Sequence, residues 1–235
     1  MALPKLNSAP VYEMTIPSNG KSVTYRPFLV KEQKNLLIAF ESQNRRDIVR
    51  AIVRTIESCV EDDLEKSLTT FDIDYMFTKI RSKSVGETSK ITIPCEHCET
   101  RNEISVELDD IEVVGDVVDN IIQLTDDITI KMKYPTYEEF LSNQNLSESP
   151  TMTETLIQLI ITCMDSVMTE DEKFSVKDET NEDIQTFLES MTTDQFEKIS
   201  DFANNIPTLS QEVAFTCSSC ETENKKTLRG LDDFF

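Results

Sequence analysis

The chain has 235 residues, 38% hydrophobic and 29% charged, which is enough for one or two domains with a sizeable core. Its 23 basic and 44 acidic side chains give a net charge of −21, which sets it against a polyanion such as free nucleic acid. A single histidine and four mutually distant glycines exclude histidine-based triads and glycine-rich phosphate loops.

The charge is unevenly spread. Residues 1–60 carry nine basic and five acidic side chains, so the remainder holds −25. No basic segment followed by an apolar run opens the chain, and no apolar stretch approaches membrane-spanning length. A soluble protein of a reducing compartment is expected, where six cysteines read as thiols or metal ligands rather than disulfides.

In chain order, Val11 to Pro17 and Ser22 to Phe28 flank Asn19-Gly20, a pair favoured in hairpin turns. Apolar spacing then predicts amphipathic helices over Val30 to Ser42 and Asp47 to Val60, the second carrying Arg46, Arg50 and Arg54 as one stripe. That stripe suits an acidic partner, or the acidic carboxy-terminal part of the same chain. A third helix is expected from Asp72 to about Ser84, stopped by Gly86. Alternating residues predict strands at Lys90 to Pro94, Glu103 to Leu108 and Ile128 to Tyr134. A short helix near Tyr137 to Leu141 and a polar loop from Ser142 to Pro150 follow. Helices are then expected at Thr151 to Met168, Asn181 to Met191 and Thr193 to Asn204, before strand character returns from Gln211.

One short repeat stands out. Cys95-Glu96-His97-Cys98-Glu99-Thr100-Arg101-Asn102 lines up with Cys217-Ser218-Ser219-Cys220-Glu221-Thr222-Glu223-Asn224, sharing both cysteines, the Glu-Thr pair and the Asn. Each segment follows an apolar strand, as in a rubredoxin-like knuckle. Two such turns supply four thiolates, the ligand set of a tetrahedral structural zinc site. The 118 residues between Cys98 and Cys217 far exceed the roughly 15 to 20 of a compact ribbon, so an insertion must fill the gap. The reading is one structural zinc per chain on Cys95, Cys98, Cys217 and Cys220, with iron, an empty site, a redox role and zinc shared between chains as alternatives. A closed tetrathiolate keeps no position for water and argues against metal-assisted hydrolysis. Cys59 and Cys163 lie on apolar helical faces and read as core residues. His97 is superfluous once four thiolates are present, and the Asp-Asp pairs read as solvated surface. The terminal aromatics Phe234 and Phe235 either seal a core edge or insert into another protein.

The fold class expected is α+β, mostly helical, with an N-terminal β-hairpin and a split zinc-ribbon-like element formed by the two distant turns. Residues 1–86 are expected to form a hairpin-plus-helix region, and residues 87–235 a zinc-stapled region with a helical insertion, packed together as one unit.

The stretch Tyr25-Arg26-Pro27-Phe28-Leu29-Val30-Lys31-Glu32-Gln33-Lys34, the C-x-x-C turn after Ile91-Thr92-Ile93-Pro94, and the terminal Leu228-Arg229-Gly230-Leu231 tract resemble the T-even-type bacteriophage baseplate hub family over most of the chain. The resemblance implies a contractile-tailed phage protein needed to build the baseplate hub, with other hub proteins as partners and no enzymatic reaction. It would act in the host cytoplasm during assembly or within the virion baseplate. The alternative from another class is a zinc-ribbon nucleic-acid adaptor, against which the glutamates around both turns count. A hydrolase or oxidoreductase lacks its residues.

Overall fold

The computed structural model describes residues 9–64, 68–115, 120–142 and 151–234. The loop expected over Ser142 to Pro150 lies, apart from its first residue, outside them, as does Phe235. The chain divides into two compact units, residues 1–114 with 208–235, and residues 115–207. The boundary expected after residue 86 falls inside the first unit.

In the first unit, β1 (Tyr12–Thr15) and β2 (Ser22–Tyr25) form the opening hairpin. Its turn is longer than a two-residue connection. The Ile16 amide donates to Lys21 and the Gly20 amide to Ile16, with positive φ at Gly20 and not at Asn19. Helices α1 (Val30–Glu41), α2 (Arg45–Cys59) and α3 (Thr70–Val85) follow. Asn44 caps α2 through its side chain, which starts that helix two residues earlier than its apolar pattern indicates. Val49, Ile52, Ile56 and Cys59 turn inward from α2 at helical spacing, leaving the arginines on the opposite face. At the start of α3, Thr69 and Asp72 cap each other, and the buried Asp72 carboxylate also accepts the Ser18 amide at 2.9 Å. A buried carboxylate is tolerable because donors surround it.

The Tyr25 to Glu32 stretch is the joint of this region. Arg26 reaches Glu32 at 3.3 Å and donates to the Ser58 carbonyl at 2.8 Å, tying β2 to α1 and α2. Burial opposes the Glu32 charge, but hydrogen bonds from Leu29 and Arg26 hold its carboxyl below the usual range.

Hairpin β3 (Thr88–Pro94) with β4 (Arg101–Glu107) comes next, then β5 (Glu112–Val114), a short strand on the edge of β10 (Thr208–Thr216), which itself pairs with β11 (Glu223–Arg229). Ile93, Val106, Leu108, Leu209, Leu228 and the fully buried Phe234 form their shared core. Phe234 therefore seals a core, and the Ser89 hydroxyl donates to its carbonyl at 2.7 Å.

The second unit is inserted between β5 and β10, whose ends Val114 and Thr208 are direct antiparallel partners. Its first and last residues also meet. A Cβ on Gly115, at φ +131°, would sit 2.9 Å from the Pro207 Cα, so only glycine fits there. The unit carries 20 acidic and five basic side chains, a net charge of −15 out of −21. It contains an antiparallel sheet in the order β6 (Ile121–Gln123), β7 (Thr129–Met132), β8 (Met164–Met168), β9 (Lys173–Ser175). The short α4 (Tyr137–Ser142) accompanies α5 (Met152–Cys163), α6 (Asn181–Glu189) and α7 (Thr193–Asn204). Ile130, Met132, Ile160, Cys163, Ile199 and Phe202 fill its core, with Tyr134 stacked on Phe202 at 5.2 Å.

Two expectations are corrected. The helix predicted through Met168 stops at Cys163, where the chain becomes β8 and fills the place between β7 and β9. Backbone pairing on both sides satisfies more polar groups than another helical turn, and Asp165 gains Lys131 at 3.7 Å across the ladder. The fold is also not mostly helical: strands form four separate sheets among the described residues, so it is a mixed α+β structure. Among the described residues, no helix is long and apolar enough to cross a membrane.

Candidate metal centre

Both C-x-x-C turns close hairpins of identical local construction. Pro94 pairs with Arg101 in one, and Thr216 with Glu223 in the other. In the first turn the Cys95 amide donates to the Thr100 carbonyl and the Glu99 amide to the Cys95 carbonyl, both at 2.9 Å. In the second the Cys217 amide donates to Thr222 at 2.9 Å and the Glu221 amide to Cys217 at 3.1 Å. Glu99 and Glu221 share a left-handed backbone, at φ 59° and 57°, that lets each chain reverse after its second cysteine. The repeat in the sequence is thus a repeat of structure.

The two turns meet. All four Sγ atoms lie within 4.8 Å of one another, with Cys95 to Cys220 at 3.7 Å and Cys98 to Cys217 at 3.6 Å. A zinc ion with Zn–S bonds of about 2.3 Å would separate tetrahedral thiolates by about 3.8 Å, so the spacing fits such an ion. An all-sulfur donor set suits soft or borderline metals and not calcium or magnesium. Cys95 and Cys217 are buried, while Cys98 and Cys220 are partly exposed, with Thr100 and Thr222 hydroxyls each 3.3 Å from their sulfurs.

Backbone donors prepare the first cysteine of each turn to be a thiolate. Amides of Cys98 and His97 lower the Cys95 thiol, and those of Cys220 and Ser219 bring Cys217 down to about 6. Cys220 moves up, because its neighbours Cys98 and Cys217 and its own desolvation outweigh the hydroxyl and amide of Thr222.

Behind the thiols sits a pair that the sequence marked as a shared Asn without showing what it does. Asn224 Oδ1 accepts the Glu96 amide of the other hairpin at 3.0 Å, and Asn102 Oδ1 accepts the Ser218 amide and hydroxyl, both at 2.9 Å.

Other candidates fall into place around this centre. His97 is exposed and contributes its backbone amide, 3.4 Å from Cys95 Sγ. Cys59 and Cys163 are buried core thiols, pushed by desolvation up to about 11 and about 12. Several of the paired acids have fixed structural partners: Asp62 accepts the Thr24 amide at 2.7 Å and Asp109 meets Lys83 at 2.6 Å. Arg46, Arg50 and Arg54 line the face of α2 opposite its buried side chains. Among the described residues the stripe's ion pair is Arg50 with Asp47 of the same helix, at 3.9 Å. The carboxy-terminal Asp232 pairs instead with Arg45, at 3.7 Å. Arg50 and Arg54 edge a groove of about 590 Å³ whose other wall includes Lys31, Asn35 and Ile38 of α1. On α1, Val30, Leu37 and the groove-lining Ile38 are 79%, 56% and 55% exposed.

No curated protein and no solved structure matches the chain. A family model described as T4 bacteriophage base plate protein matches residues 9–235, spanning both cysteine turns, the Arg26–Glu32 joint and the buried Phe234. On that match the chain belongs to the T4 bacteriophage base plate protein family.

Proposed function

We propose that this baseplate protein is a non-enzymatic component or assembly factor of the baseplate hub, its fold closed by one structural zinc on Cys95, Cys98, Cys217 and Cys220. The convergence of four thiols from turns 118 residues apart in sequence is the observation that carries the metal assignment. A closed tetrathiolate supplies folding energy and no open coordination position, in keeping with a scaffold rather than a catalyst. The docking surface for other hub proteins is assigned to α1 and α2. Exposed Val30, Leu37 and Ile38 offer apolar contact there, and Arg46, Arg50 and Arg54 suit an acidic partner. Glutamates 96, 99, 103, 212, 221 and 223 surround the turns, which disfavours a nucleic-acid adaptor.

Elemental analysis of purified protein should give close to one zinc per chain. A Cys95→Ser, Cys217→Ser variant that stays fully folded without zinc would remove the metal from the fold. Charge reversal at Arg46, Arg50 and Arg54 should abolish copurification with hub proteins while circular dichroism stays unchanged. Undiminished association would take the stripe out of the interface.

A further inference from the structure

The shared Asn of the repeat does something that neither the thiols nor a bound ion requires. Each asparagine leaves its own hairpin and accepts the amide that follows the first cysteine of the other, Asn224 from Glu96 and Asn102 from Ser218. Each also donates from Nδ2 back to its own turn, to the Thr100 and Thr222 carbonyls, at 2.8 Å in both. Asn102 Nδ2 lies 3.8 Å from Cys217 Sγ of the opposite turn. Both asparagines are buried, at 7% and 5% exposure. One end of each amide is fixed to its own turn and the other end crosses the junction, in opposite directions at the two sites. Neutral hydrogen bonds of this kind need no metal and no ionised thiol, and buried amides left without them are penalised.

We propose that Asn102 and Asn224 form a reciprocal clasp that docks the two cysteine turns on each other and sets their thiol spacing before any metal is bound. They are positioning residues, and only the consequence for metal affinity rests on the zinc reading above. The two halves are unequal. The Ser218 hydroxyl adds a second donor to Asn102, with no counterpart at Glu96, so loss of Asn102 should be the more damaging.

The test uses the full chain, reduced and freed of metal by chelation, with site-resolved amide hydrogen exchange by NMR. In the parent protein the Glu96 and Ser218 amides should be protected. Asn224→Ala should accelerate exchange at Glu96 at least tenfold and spare Ser218, whereas Asn102→Ala should do the reverse. That crossed pattern links residues 128 and 116 positions apart, which a general loss of stability would not produce. Asn→Asp variants keep the Oδ acceptor, so they should retain protection at the crossed amide; they serve if an alanine variant does not fold. With zinc as probe, chelator competition should show each alanine variant binding about 10- to 100-fold more weakly, with Co²⁺ still giving a tetrahedral thiolate spectrum. Unprotected amides in the metal-free parent, or alanine variants with unchanged protection, would overturn the clasp. A parent that takes up no zinc but shows the crossed pattern would uphold the clasp and overturn the zinc assignment alone.

Discussion

Removing the inserted unit offers a demanding examination of how this chain is built. Val114 and Thr208 are direct partners in the β5–β10 ladder, so deleting residues 115–207 and joining them through Asn-Gly creates a two-residue hairpin. The 118 residues between Cys98 and Cys217 fall to 27, since 93 are removed and two added. Loop-closure entropy varies as 1.5RT times the logarithm of loop length, so docking the two cysteine hairpins becomes about 1.3 kcal/mol less costly. The shortened protein should therefore fold, hold the same zinc per chain as the full protein on the reading proposed above, and gain about 1 kcal/mol in urea unfolding at a fixed zinc concentration. Extrapolation to water and zinc analysis measure the two quantities together. A shortened chain that is unfolded, or that fails to hold zinc where the full chain does, would refute the reading of residues 115–207 as an insertion that the first unit does not need in order to fold.

Two further outcomes follow from a buried ring and a half-buried carboxyl. Phe234 is fully buried among Ile93, Val106, Leu209 and Leu228, so Phe234→Ala should cost about 3 kcal/mol or more by denaturant titration. A change within about 0.5 kcal/mol, the range of ordinary surface substitutions, would refute the burial of the Phe234 ring. Burial, reinforced by Asp232 and opposed by Arg45, pushes Asp74 up to about 7, whereas an unfolded aspartate titrates near about 3.9. The unfolded chain thus releases this proton first. The site's contribution to stability is complete below about pH 4 and is lost as the pH climbs towards about 7. Asp74→Asn cannot ionise, so its urea midpoint should move in its favour relative to the parent between pH 4 and pH 8. A gap that stays constant over that range would show that Asp74 titrates normally.

Legibility in the sequence followed the range of the interactions involved. The α2 arginine stripe and its buried Ile52 and Ile56 were readable, because helical spacing alone places them on opposite sides, whereas Ile48, read as part of the same apolar face, is half-buried and Val49 is buried instead. The three-residue strands β5, β6 and β9 were not, since so short a run has no period to detect and exists only through its partner strands. The same reason hid β8. Met164 to Met168 is apolar enough to prolong α5, and only the flanking β7 and β9 make an extended course the better one. The unit boundaries at 114 and 207 depend on the pairing of Val114 with Thr208, 94 positions away in the chain, which local pattern does not carry.

By itself the sequence determined the candidate donor set: two C-x-x-C turns of matching composition, in an acidic chain short of histidine and glycine. Thiol pairs with two residues between them are presented by one tight turn, so local geometry was enough to single them out as candidate ligands. Tertiary structure alone decided that the turns meet within 4.8 Å and that the shared Asn of each belongs to the other's hydrogen bonds. Those contacts join hairpins that are neighbours only after the chain has folded, and a residue's role across such a junction is fixed by its partner's position rather than by its own surroundings in sequence.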